Sequence, residues 1–127
     1  MSSSRAAAAL ALACALAAGG CMSSRSNYGA VPVVGGDPDR GAALIRETGC
    51  GACHSIPGIR EADSFVGPPL TAWSRRTFIA GSLPNVPENL MDWVANAHTL
   101  YPDGAMPNFD FSAQQTRDIA AYLYTLD

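Results

Sequence analysis

The sequence has no lysine. Every fixed positive charge is one of eight arginines, set against eleven aspartates and glutamates. The formal net charge is −3, which is not the footprint of a nucleic-acid binder. Cysteine is scarce: four residues, of which Cys14 and Cys21 lie in or beside an apolar N-terminal run and Cys50 and Cys53 lie three apart. That placement excludes a disulfide framework. Long apolar runs are missing too. The longest, Ala6 to Ala18, has 13 residues, short of the roughly 20 that span a bilayer. No stretch of useful length alternates apolar and polar residues, so the expected class is all-α.

The N-terminus reads as an export signal over residues 1–20. Arg5 gives a short positive region, the Ala/Leu run follows, and Ala17-Ala18-Gly19-Gly20 leads to Cys21. This ending resembles a bacterial lipoprotein lipobox, which implies lipidation at Cys21 and an anchor on the periplasmic side of a membrane. Ala18 stands where that pattern usually has Leu. Ordinary cleavage near Ala15-Leu16-Ala17 is the alternative and leaves Cys21 a free thiol. Loss of residues 1–20 removes Arg5, leaving seven arginines against eleven acids and a charge of −4. Residues 21–36, with Ser-Ser-Arg-Ser-Asn followed by Gly, Pro and a Gly pair, read as a flexible tether.

The folded part is expected at 37–127. Asp37-Pro38 is an N-cap followed by proline at the first helical position. Gly41, Leu44, Ile45 and Thr48 then share one face, and Gly49 ends the helix. Glycine at 41 costs helix stability, a cost offset if another helix approaches closely there. A second helix is predicted from about Pro87 to Ala97, with Leu90, Trp93, Val94 and Ala97 on one face. The third follows the capping box Ser112-x-x-Gln115, with Ile119, Tyr122, Leu123 and Leu126 at i, i+3, i+4 and i+7.

Chemistry is concentrated in Cys50-Gly51-Ala52-Cys53-His54, the attachment pattern of a c-type haem. Two thiols on one turn of backbone reach the two vinyl groups of one porphyrin, and His54 then lies beneath the iron. A fold of about 90 residues with short helices is marginal alone, so the macrocycle also serves as core. Candidates for the sixth iron ligand are Met22, Met91, Met106 and His98. Met22 falls in the tether, and Met91 lies beside the apolar stripe of the second helix, as a gap filler does. Met106 sits in Tyr101-Pro-Asp-Gly-Ala-Met-Pro107, stiffened by proline on both sides, and is favoured. His98, near a helix end, reads as solvated.

Cys50-x-x-Cys53-His54, then Gly67-Pro68-Pro69-Leu70, then Met106-Pro107, then a last helix carrying Ala121-Tyr122-Leu123, resembles a class I cytochrome c over 37–127. The resemblance implies three to four short helices around one haem c bound through Cys50 and Cys53. It implies axial ligation by His54 and Met106, and a hydrogen bond from the His54 ring to the Pro68 carbonyl. It also implies that Gly41 and Tyr122 meet where the first and last helices cross. The segment from Phe78 to Trp93 is similar to the cytochrome c domain fused to subunit II of bacterial haem–copper oxidases. By that likeness Arg76 and Trp93 lie near the haem propionates, with Arg75 as the alternative to Arg76. The chain departs from those relatives at Asn96-Ala97-His98, where they usually have proline near the helix end, and it lacks their copper-site portion.

The expected role is therefore a membrane-anchored electron carrier and not an enzyme. Its implied partners are redox proteins: a terminal oxidase, a quinol-oxidising complex or a periplasmic dehydrogenase. With no lysine, docking relies on a basic partner or an apolar patch. A haem-based sensor or weak peroxidase with a labile Met106 is the alternative. A haem-free thiol or metal module built on Cys50 and Cys53 is a third reading.

Overall fold

The computed structural model describes residues 32–127. The signal segment, Cys21, Met22 and the tether up to residue 31 lie outside the described residues. Three helices carry the fold: α1 (Pro38–Glu47), α2 (Pro87–Leu100) and α3 (Ala113–Leu123). Two 3₁₀ turns, Cys50–Ala52 and Trp73–Arg75, lie between α1 and α2. So does one small antiparallel hairpin of β1 (Phe78–Ile79) and β2 (Leu83–Pro84), with Ile79 opposite Leu83. Two-residue strands are too short to show alternation, which is why no pattern in the sequence signals them.

Both helix starts expected from capping chemistry are present. Asp37 accepts from the Asp39 and Arg40 amides at 3.0 and 3.1 Å, with Pro38 next in line. Ser112 and Gln115 bond reciprocally, at 3.3 and 2.8 Å. α1 and α3 cross at Gly41. A Cβ there would run into the Asp118 carbonyl and sit 3.0 Å from Tyr122 Cβ. The Gly41–Tyr122 crossing is thus a backbone-to-backbone approach that only glycine permits.

Buried Asp118 staples this crossing. It accepts from the Asp37 amide at 2.9 Å, from Arg40 Nε at 2.9 Å and from Gln114 Nε2 at 2.8 Å. The Arg40 hydrogen bond leads in holding its carboxyl down at about 2. The ordered body reaches back past Asp37. Val33 packs against the core, and the Gly35 carbonyl accepts from Gln114 at 2.9 Å.

α2 runs one turn beyond the predicted Ala97 and is broken at Asn96 (φ −125°, ψ 25°). The break coincides with bonds from outside the helix. The Ala95 carbonyl accepts from the Phe109 amide at 2.8 Å, and the Thr99 amide donates instead to Asn108 Oδ1 at 3.1 Å. One rung of the helix is thereby replaced on both sides by the segment after Met106. Ile45, Ile56, Trp73, Ile79, Leu90, Val94, Ile119 and Leu123 are buried around a central cavity.

Candidate functional site

The cavity has a volume of about 570 Å³, within the range of cofactor pockets. Cys50, Cys53, His54, Pro68, Arg76, Trp93 and Met106 all line it. These residues span 57 positions of sequence, from 50 to 106, and the fold gathers them around one cavity. His98 is exposed at the end of α2 and lies off the cavity; Met91 packs into the core beside it. Arg75 is exposed on the outside of its turn, so Arg76 is the arginine that faces inward.

The attachment motif sits on the 3₁₀ turn that follows α1. Cys50 is half-buried, Cys53 is exposed, and neither is in a disulfide. The Cys53 and His54 amides both point back to the Cys50 carbonyl, at 3.2 and 3.0 Å. That curl puts both sulfurs and the imidazole on one turn of chain.

His54 is oriented by a two-rung ladder. On one side of it the Cys53 carbonyl accepts from the Gly67 amide at 2.6 Å; on the other the Ser55 carbonyl accepts from Leu70 at 2.8 Å. Between Gly67 and Leu70 stand Pro68 and Pro69, which have no N–H to offer. Only their carbonyls remain, and that of Pro68 accepts from His54 Nδ1 at 2.7 Å. Bonding at Nδ1 fixes the tautomer and leaves Nε2 free for a metal. Gly67 is required for close approach: a Cβ would sit 2.5 Å from Cε1 of the imidazole.

Arg76 donates to the carbonyls of Pro69 and Thr71. Its guanidinium also lies over the Trp73 ring, 5.1 Å from the centroid. Burial lowers its pKa, an effect that leaves an arginine charged. Two residues beside it escaped the sequence reading. Trp73 is buried in the cavity wall, and its indole Nε1 has no hydrogen-bond partner. Asn85 donates both amide hydrogens to the Trp73 and Arg76 carbonyls, each at 3.0 Å, and accepts from Tyr124 Oη at 2.9 Å. Tyr124 is almost wholly buried, which pushes its hydroxyl up to about 12. A tryptophan next to the Arg pair was the available clue to the first; nothing local marks the second.

The residues present fit a covalent haem. Two adjacent thiols, an oriented imidazole, a thioether and an apolar wall with Arg76 as its one fixed charge match a flat, largely apolar macrocycle carrying two carboxylates. The fold and the cavity together define a haem-binding helical domain. The cytochrome c family model matches residues 38–127, and the chain belongs to that family. It carries haem c, bound through Cys50 and Cys53. Among curated proteins it is similar to cytochrome c oxidase subunit 2 of Alkalihalophilus pseudofirmus, with 33% identity over 89 residues. That match covers 69% of this chain and 25% of the relative.

Proposed function

We propose that the protein is a single-electron carrier of a respiratory chain, with His54 and Met106 as the two axial iron ligands. The haem supplies a one-electron Fe(II)/Fe(III) couple. The observation that carries the reading is the 2.7 Å bond between His54 Nδ1 and the Pro68 carbonyl inside a cavity that Met106 also lines. It leaves Nε2 as the nitrogen that would hold the iron. The Met106 thioether as second ligand would favour the reduced state and raise the potential. A haem held by both residues would leave no open coordination site for a substrate.

The cytochrome c oxidase subunit 2 likeness supports a terminal oxidase as the electron acceptor, or as the assembly in which this domain works. A quinol-oxidising complex or a dehydrogenase fits as the donor. Val66, on the cavity rim, and its neighbour Phe65 are each 77% exposed. They favour brief apolar docking beside the thioethers. The export signal and Cys21 support attachment to the periplasmic side of a membrane, and no described helix is long and apolar enough to cross one.

Redox titration of the haem-loaded protein, followed through the far-red methionine–iron band, tests this. The expected result is a distinct band in the oxidised form and a potential well above zero. Met106→Ala should abolish the band and let the reduced protein bind carbon monoxide. A wild-type protein that binds carbon monoxide and lacks the band would replace the carrier reading with the sensor one.

A further inference from the structure

Residues 102–111 carry Met106, yet few bonds fasten them. Among the described residues, three hydrogen bonds join this segment to another element, and all fall at Asn108 and Phe109. Asn108 Oδ1 accepts from the Thr99 amide at 3.1 Å, and Asn108 Nδ2 donates to Thr99 Oγ1 at 2.7 Å. The Phe109 amide donates to the Ala95 carbonyl at 2.8 Å. Gly104 bonds only to its neighbour Tyr101, at 3.0 Å.

Thr99 and Ala95 are a helical pair, four apart. In an unbroken α2 they would bond to each other. Here the kink at Asn96 separates them and offers a free donor and a free acceptor to the loop. A proline at the helix end would open the same ladder by removing its own N–H. This chain keeps every N–H in that turn and fills the opening with Asn108. Only Pro107 separates Asn108 from Met106, and its fixed φ transmits the position of one to the other.

We propose that Asn108, acting through Thr99, is the positioning residue that holds the Met106 loop against the cavity. The stitch sets how often the thioether leaves the iron. The proposal rests on the reading of Met106 as the distal ligand.

The test is the rate at which cyanide binds the ferric, haem-loaded protein, since cyanide enters only when the thioether has left. Asn108→Ala should speed binding about threefold, as expected for the loss of two exposed hydrogen bonds. It should leave the far-red band visible at neutral pH. Asn108→Asp, which keeps an acceptor for the Thr99 amide, should fall closer to wild type. Gln114→Ala, which breaks contacts at Gly35 and Asp118, serves as the control for general loosening and should leave the rate unchanged. Where Asn108→Ala does not load haem, Thr99→Ala removes one stitch partner and should also speed binding. A wild-type band with an unaltered rate in the stitch variants overturns the proposal alone. So does equal acceleration by Gln114→Ala. A wild type without the band overturns the Met106 assignment and the proposal with it.

Discussion

At the scale of single residues, a donor or acceptor held in place is worth more than its type. His54 was legible in the sequence because it follows Cys53 directly, and the Pro68 carbonyl because the resemblance carried by Gly67-Pro68-Pro69-Leu70 implied it. Asn85 was not. Its contacts to the Trp73 and Arg76 carbonyls and to Tyr124 span 9 to 39 positions, and nothing around it in sequence advertises them. Asp118 was missed for the same reason. Its carboxyl is held down at about 2, first by the Arg40 hydrogen bond, against an ordinary aspartate value near 3.9. A depressed folded-state pKa contributes stability that is complete above the unfolded value and is lost as pH falls through the folded one. Asp118→Asn should therefore lower stability at neutral pH by on the order of 2 kcal/mol, since it weakens charged hydrogen bonds. The gap to wild type should close as pH drops from about 4 through about 2. Guanidinium unfolding midpoints across that range check it.

At the scale of elements, the caps of α1 and α3 and the apolar stripe of α2 were readable because their causes lie within a few residues. The break in α2 was not, because its bonds come from Asn108 and Phe109, beyond the helix. The helix crossing sits between the two cases. Gly41 announced a close approach, and the structure supplies the Asp118 carbonyl as the obstacle. Alanine is the better helix former by about 1 kcal/mol, so helix propensity alone would make Gly41→Ala stabilising. Overpacking at a backbone contact costs about 1–3 kcal/mol on top of undoing that gain. Gly41→Ala should lower the thermal midpoint of the haem-loaded protein, measured by far-UV circular dichroism. A rise would mean that α1 and α3 can part without loss.

At the scale of the molecule, every element except β2 contributes to the cavity wall. A hollow of about 570 Å³ left dry would forfeit on the order of 10 kcal/mol, as much as a typical domain's whole net stability of about 5–15 kcal/mol. The cofactor thus fills the hollow that the side chains leave. A Cys50→Ser/Cys53→Ser chain without haem should lose cooperative unfolding and near-ultraviolet circular dichroism. Hydrogen exchange should be fast along α2 and α3. Chain length already pointed this way, through short helices in about 90 residues. The sequence could not say which side chains complete the wall.

The docking of Val33 to Gly36 on α3 has a directional consequence. That segment meets Gln114, Arg117 and Ala121, whereas Ile119 and Leu123 face the cavity. At 100° per residue these two sets look out from opposite sides of the helix. The chain ahead of Val33 therefore joins the body at its back. If Cys21 holds a lipid, the anchor pulls on the face of α3 turned away from the cavity, so membrane attachment and the cofactor load opposite sides of one helix.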